Sequence, residues 1–145
     1  MSSNAFVLQW ERRWSEARLL RQVRPDAAVA RSRLQLAELN VERAKRERAA
    51  GDLDASLIFA EQALINAADA VLSRDGYNAN SHIVRFGYPL LPAIFYTGER
   101  HVIDQIRSSR NTAQYDASGV VGTELAVKAI ALAVRAVEEV RQVLS

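Results

Sequence analysis

The segment GDLDASLIFAEQALINAADAVL, residues 51–72, decides the fold because it has the pattern of one long helix with a seam of small side chains. Gly51 would end a preceding helix, and Asp52 or Asp54 would cap the next one. Apolar residues then recur every three or four positions, which is the period of a helix face. They are Leu57, Ala60, Leu64, Ala67 and Val71. Because many of these side chains are small, we expect a neighbouring helix to approach this face closely.

Helical periods continue on the N-terminal side of this segment. A helix from Asp26 to about Ala50 is predicted, since apolar residues recur along it at helical intervals. Pro25 separates it from a front helix that is expected to run to about Gln22. The apolar side of that front helix consists of Phe6, Val7, Trp10 and Trp14.

The C-terminal side has more interruptions. Residues 75–81, DGYNANS, have the composition of a loop, and Pro89 and Pro92 predict a short or bent element between His82 and Tyr96. A further helix would face inward with Val102, Ile103 and Ile106, and the polar stretch RSSRNTAQYD, residues 107–116, would follow it. A final long helix is predicted after Gly119. Its apolar positions are Leu125, Ala129, Leu132, Ala136, Val140 and Val143.

These elements predict an all-α protein without a strand of normal length. With 145 residues, of which 49% are hydrophobic, the chain is long enough for one core and too short for two ordinary domains. Short connections favour an antiparallel, up-and-down bundle of four to five helices. We expect residues 25–145 to form this bundle and residues 1–24 to form an additional N-terminal helical extension.

The composition argues against several classes of function. There is no cysteine, and the two histidines lack HExxH spacing, so we expect no metal site and no cofactor. No glycine belongs to a phosphate-binding loop. No apolar stretch is expected to reach the roughly 20 residues needed to span a bilayer, so no membrane contact and a cytoplasmic location are expected.

Charge is unevenly distributed along the chain. The net charge is +2, but eleven Lys or Arg residues oppose six Asp or Glu up to Arg48, and eight oppose eleven afterwards. Arginine accounts for 17 of the 19 cationic residues. Arginine suits bidentate contact with phosphate, so a polyanionic partner is one interpretation, and solvated helix faces are the other.

Residues 51–72 allow two family interpretations. A tetratricopeptide-type hairpin would need further copies about 34 residues apart, and none is present. The second interpretation is better supported, since the order of motifs over residues 28–144 resembles that of HEPN domains. The residues that carry this resemblance are Gly51, Asp52, Ala55, Gly76, Tyr77, Ser81, His82 and the stretch from Arg107 to Asp116.

The resemblance implies a helical bundle that forms a homodimer, with the polar motifs of two subunits facing each other across a cleft. Many HEPN proteins are metal-independent endoribonucleases, often toxins paired with nucleotidyltransferase-like antitoxins. Their hallmark is an arginine followed by a polar residue, with a histidine after four to six intervening residues. Arg110 and Asn111 match the first half, but Tyr115, Asp116 and Ala117 occupy the histidine window.

That departure favours binding over cleavage. A tyrosine with a pKa near 10 is a poor general base at neutral pH, whereas a histidine near 6.5 exchanges protons readily. Arginine and tyrosine side chains can still bind phosphate and stack on bases. The predicted residues for binding RNA or a nucleotide are Arg107, Arg110, Asn111, Gln114, Tyr115, Asp116 and His82, and no residue is predicted to be catalytic.

The sequence leaves other interpretations open. Arg110 could serve structure alone by pairing with Asp116, Glu61 or Asp69. The protein could instead be an adaptor without nucleic-acid binding, whose Trp10 and Trp14 would lie exposed and anchor a partner protein. An active endoribonuclease toxin is a third hypothesis, in which His82 would supply the base. The first function remains a noncatalytic HEPN-like component of a toxin–antitoxin or defence system.

Overall fold

The structure is a computed structural model that describes residues 3–97, 100–115 and 122–145, with the side chains of residues 3–4 and 110–115 left out. Over these residues it is mostly helical, which confirms the all-α expectation. The helices are α1 (Ser3–Glu16), α2 (Ala27–Ala49), α3 (Leu53–Asp75), α4 (His82–Phe86), α5 (Arg100–Tyr115) and α6 (Thr123–Leu144). Two short strands, β1 (Leu20–Gln22) and β2 (Tyr77–Ala79), and a 3₁₀ turn at Ala93–Phe95 complete the described elements.

Helices α2 and α3 begin and end close to the predicted positions. The carboxylate of Asp26 accepts hydrogen bonds from the backbone N–H groups of Ala28 and Val29, at 3.0 and 3.1 Å. Asp52, rather than Asp54, caps α3 by accepting from Ala55 N at 3.0 Å. Gly76 ends α3 with φ 91°, in the left-handed region that glycine enters without strain. Local capping chemistry therefore sets the bounds of both helices.

Helix α3 is the centre of the core, and its seam of small residues is buried against its neighbours. Leu57, Ala60, Leu64, Ala67 and Val71 are all at most 1% exposed. The helix packs against α2, α5 and α6. Ser56 adds a polar contact between neighbours, since its hydroxyl donates to Ala44 O in α2 at 2.9 Å.

The apolar length of α3 corrects one expectation. By length and composition alone, Leu53–Asp75 could cross a membrane, contrary to the expectation that no stretch is long and apolar enough. In the structure, 72% of the 18-residue apolar stretch of this helix that meets these criteria is buried inside the protein. That burial is the usual situation of a core helix, which meets the same length and composition criteria.

The front helix is shorter than predicted. Helix α1 ends at Glu16 because Arg18 adopts a left-handed conformation with φ 60°. The N–H groups of Arg18 and Leu19 then donate to Ser15 O and Trp14 O, both at 3.0 Å, which closes the helix end in a Schellman pattern. A non-glycine residue gives no sequence signal for such an end.

The chain after this helix end is extended, where a continued helix was expected. Strand β1 pairs antiparallel with β2, with Leu20 opposite Ala79 and Gln22 opposite Tyr77. The predicted loop at residues 75–81 therefore contains a strand. Both Leu20 and Ala79 are buried, at 5% and 4% exposure. Three-residue strands are too short to show an alternating pattern in a sequence.

Segment 82–96 behaves as its prolines predict. Helix α4 ends at Phe86, before Pro89, and Pro92 precedes the 3₁₀ turn. Phe86, Tyr88 and Phe95 are nevertheless at most 1% exposed, so this irregular segment contributes large side chains to the core.

The last two helices each depart from the prediction in one respect. The polar stretch 107–116 was expected to follow a helix, whereas α5 continues through Tyr115. Ile103 and Ile106 are buried, as expected. In α6 most of the predicted apolar positions are buried, but Val143 is 39% exposed because it lies in the last turn, at the edge of the core.

Candidate functional site

The predicted binding residues lie mainly on the second half of α5. Arg107 is on this helix and is partly buried. The side chains of Arg110, Asn111, Gln114 and Tyr115 lie outside the described residues, and so does the whole of Asp116. Their role in binding stays a prediction.

The backbone of α5 nevertheless fixes how these positions relate to one another. Because the helix is unbroken to Tyr115, positions 107, 110, 111, 114 and 115 follow the spacing i, i+3, i+4, i+7 and i+8. That spacing is one stripe of an α-helix. The stripe continues from buried Ile103 and Ile106, which lie one turn or less before it. The five candidate positions thus share one face of a single helix.

His82 belongs to a polar cluster on α3 and α4. The guanidinium of Arg85 donates to Asp69 Oδ1 at 2.6 Å, to Ala79 O at 3.1 Å and to Nδ1 of His82 at 2.6 Å. Arginine only donates, so Nδ1 must accept and the imidazole proton must lie on Nε2. In this tautomer Nδ1 is engaged by Arg85 and Nε2 carries the proton, so a substrate could use Nδ1 only after the Arg85 contact breaks.

Asp69 holds two arginines rather than one. Arg33 on α2 approaches its second carboxylate oxygen at 3.6 Å, with a side chain that is 40% exposed. Asp69 was considered as a partner for Arg110, and its described partners are Arg85 and Arg33. Glu61, another of the three partners named for Arg110, is buried at 2% exposure. No sequence pattern indicates Arg85 or Arg33 at this position, because the contact joins residues from three helices.

A second polar cluster ties the ends of the helices together. Arg74 donates to both carboxylate oxygens of Asp75, at 2.7 and 3.0 Å, and to Val143 O at 3.2 Å. The Tyr88 hydroxyl donates to Asp75 at 2.5 Å, and burial followed by this hydrogen bond raises the pKa of Tyr88. The cluster links α3 to α6 and has the character of a structural network.

An aromatic cluster holds α1 on the protein. Trp10 is 6% exposed, and its indole N–H donates to Val84 O at 3.1 Å. Its ring lies 5.0 Å from Tyr77 and 4.7 Å from Tyr88, measured between centroids. The adaptor hypothesis expected Trp10 in solvent, and this expectation is wrong because the ring packs on its own chain. Trp14 is partly buried.

Beside this cluster, an open groove runs between α1 and the segment from Ile83 to Arg100; we call it the α1 groove. It consists of two adjoining cavities of about 630 and 480 Å³, which share Phe6, Gly87, Pro89 and Arg100. The other lining residues are Gln9, Trp10, Arg13, Trp14, Ile83, Phe86, Tyr88 and Tyr96. The sequence analysis did not identify this groove, because it depends on how the front helix packs.

Among the described residues, no group of three or more acidic or histidine side chains is placed to hold a metal ion. Comparison with protein-family models, curated proteins and solved structures gives no match for this chain. The resemblance to HEPN domains therefore rests on the short motifs alone, and a function must be argued from the geometry above.

Proposed function

We propose that this protein is a HEPN-like module that binds RNA or nucleotide phosphates through the polar stripe of α5 without cleaving them. In this proposal the helices form an up-and-down bundle, and the protein is a noncatalytic component of a toxin–antitoxin or defence system. Arg107 and Arg110 contact phosphate oxygens, Asn111 and Gln114 supply hydrogen bonds, and Tyr115 stacks on a base.

One observation carries the binding part of the proposal. Helix α5 runs unbroken to Tyr115, so Arg107, Arg110, Asn111, Gln114 and Tyr115 occupy one stripe. Side chains scattered around a loop would not need to share a face. Two arginines and two amides on one helical face provide the set of donors that phosphate oxygens require.

The hydrogen bonding of His82 supports the noncatalytic part of the proposal. The motif position that would hold a general base is occupied by Tyr115. His82 has its Nδ1 engaged by Arg85 at 2.6 Å, which assigns its proton to Nε2. A histidine in that state is not a general base, so the protein would have to break the Arg85 contact before His82 could take part in cleavage.

The homodimer and the nucleotidyltransferase-like partner are parts of the same proposal. On α2, Val29, Leu36 and Leu39 are 39%, 43% and 43% exposed, at intervals of seven and three residues. This is the spacing by which helices of two subunits pack together, so a second copy is the occupant we propose for this stripe. Sedimentation velocity of the wild type and of Leu36→Glu tests it, with the dimer expected only for the wild type.

Labelled single-stranded RNA tests binding and cleavage in one experiment. The wild type is expected to retain the RNA intact, whereas Arg110→Ala and Tyr115→Ala retain less of it. Arg46→Ala, which removes an exposed arginine from α2, is the matched control and should bind like the wild type. Cleavage that disappears in Arg110→Ala would replace the proposal with the endoribonuclease hypothesis, and an absence of any binding would overturn it.

A further inference from the structure

The α1 groove is cationic along its lining. Arg13 and Arg100 are the charged residues among those that line it, and no carboxylate is among them. Within the described part of the chain, no acidic side chain lies within ion-pair distance of Arg13. Arg100 donates to Phe86 O at 2.8 Å and has Asp104 at 3.9 Å. Among the residues that the structure describes, Arg13 thus has no acidic partner and Arg100 is partly neutralised, so the lining favours an anionic ligand.

The same lining is unusually aromatic. Six of the ten aromatic residues of the chain line the groove, against two aliphatic side chains, Ile83 and Pro89. Trp10, Phe86 and Tyr88 are buried and form the floor. Phe6 and Tyr96 are 47% and 49% exposed, so about half of each of these side chains is open to a ligand.

Cation and ring also come together within the groove. The guanidinium carbon of Arg13 lies 4.6 Å from the centroid of the Trp14 ring. This contact already holds the arginine beside the groove. Binding of a phosphate to Arg13 would therefore cost little side-chain entropy. The groove therefore combines flat apolar surfaces with positive charge held next to them.

We propose that the α1 groove binds single-stranded nucleic acid, with bases stacked on Phe6 and Tyr96 and phosphates contacted by Arg13 and Arg100. Single strands are bound by cationic grooves in which aromatic rings receive successive bases. A duplex would keep its bases stacked on each other and would leave these rings without a partner. An acidic peptide could use the arginines, but it would gain little from a lining with so little aliphatic surface.

The inference extends the proposed function and rests on it, in that both assume a nucleic-acid ligand. The two sites use different residues, however, and α5 contributes only Arg100, at its N-terminal end, to the groove. The groove and the polar stripe can therefore be tested separately.

Tryptophan fluorescence reports on the groove directly, because both tryptophans of the chain line it. The probe is an oligouridylate of about 12 nucleotides, a length within the range that single-strand sites cover. We expect it to quench the emission as it binds. An abasic oligonucleotide of equal length, and polyglutamate of equal charge, should bind much more weakly, since they have no bases to stack.

Variants separate the groove from the α5 stripe. Tyr96→Ala and Phe6→Ala are each expected to weaken binding about tenfold, the effect of losing one stacked base. Arg13→Ala should lower the slope of log affinity against log salt by about 0.7, as expected for one lost phosphate contact to a single strand. Arg43→Ala is the matched control, because Arg43 also lies over an aromatic ring, Phe59, at 5.8 Å, but outside the groove.

The outcomes distinguish the two proposals. The groove would be overturned, and the α5 stripe supported, if the oligonucleotide binds the wild type without changing its tryptophan emission and fails to bind Arg110→Ala. Quenching that is lost in Tyr96→Ala but kept in Arg110→Ala would support the groove as a site that binds independently of the α5 stripe. Equal affinity for the abasic oligonucleotide would overturn the stacking proposal, and no binding of any probe would overturn both.

Discussion

At the scale of single residues, the hydroxyls of partly buried Tyr77 and buried Tyr88 link stability to alkaline pH. Burial, followed by a hydrogen bond to Glu11 and the charge of that carboxylate, raises the pKa of Tyr77 to about 12. The pKa of Tyr88 is raised by burial and by its hydrogen bond to Asp75. An unfolded tyrosine titrates near 10. Because the folded state holds these protons more tightly, it is stabilised relative to the unfolded chain below that pH.

Stability is therefore expected to stay level up to a pH of about 10 and to fall as the pH rises through about 12. Above the unfolded pKa the unfolded chain loses its protons first, which favours unfolding. Urea unfolding midpoints measured across this range test the prediction. Tyr77→Phe, which removes one titrating hydroxyl, should show a smaller decline. The same decline in both proteins would contradict the assignment.

Two glycines in the left-handed region offer a second test at the residue scale. Gly51 and Gly76 have φ values of 85° and 91°, but only Gly76 is crowded. A Cβ at position 76 would lie 2.9 Å from Val23 O and 3.0 Å from Pro25 Cγ, whereas one at position 51 would meet nothing within 4 Å. An alanine at either position would adopt the same unfavourable left-handed backbone conformation, but only an alanine at position 76 would clash with its neighbours.

We expect Gly51→Ala to lower the free energy of unfolding by about 1 kcal/mol, the cost of a left-handed non-glycine residue. Gly76→Ala should lower it by more than about 2 kcal/mol, because the clash adds to the same backbone cost. Urea denaturation followed by circular dichroism measures both. Equal losses of unfolding free energy would show that the backbone at Val23 moves away from the added methyl group without a measurable cost.

At the scale of elements, Asp69 and Arg85 hold α4 against α3. Their side chains are 15% and 11% exposed, with a distance of 2.6 Å between donor and acceptor. Arg33, the second arginine at Asp69, is 40% exposed and 3.6 Å away. Removing the carboxylate leaves the largely buried Arg85 without its charge partner, whereas removing Arg33 leaves the Asp69–Arg85 pair intact.

Asp69→Ala is therefore expected to cost about 3 kcal/mol of stability, and Arg33→Ala less than about 1 kcal/mol. The comparison is made by urea denaturation at neutral pH. Similar costs for the two variants would mean that the Arg85 contact contributes little.

The elements also show what the sequence could and could not predict. Helices α2 and α3 were predictable because Asp26, Asp52 and Gly76 act locally on the ends of the helices. Strand β1 was not predictable, because its three residues gain order from pairing with β2 and from burial of Leu20. The end of α1 at Arg18 had no signal either, since arginine rarely adopts a positive φ.

At the scale of the whole molecule, the all-α class could be predicted from helical periods, whereas the candidate sites depend on tertiary packing. The sequence placed Arg107 and Arg110 in a loop after a helix, and their shared face follows only from the continuation of α5. His82 was identified, but its partner Arg85 and the link to Asp69 were not. The α1 groove requires Trp10 to be buried, and an exposed Trp10 was the expectation for an adaptor.

The central claim is that the α5 stripe binds phosphates, and the salt dependence of RNA binding tests it most directly. Each phosphate contact to a single strand contributes about 0.7 to the slope of log affinity against log salt. We predict a salt-dependent affinity for the wild type, and a slope lower by about 0.7 in Arg110→Ala than in the wild type or in Arg46→Ala. Identical slopes for all three proteins would contradict the claim.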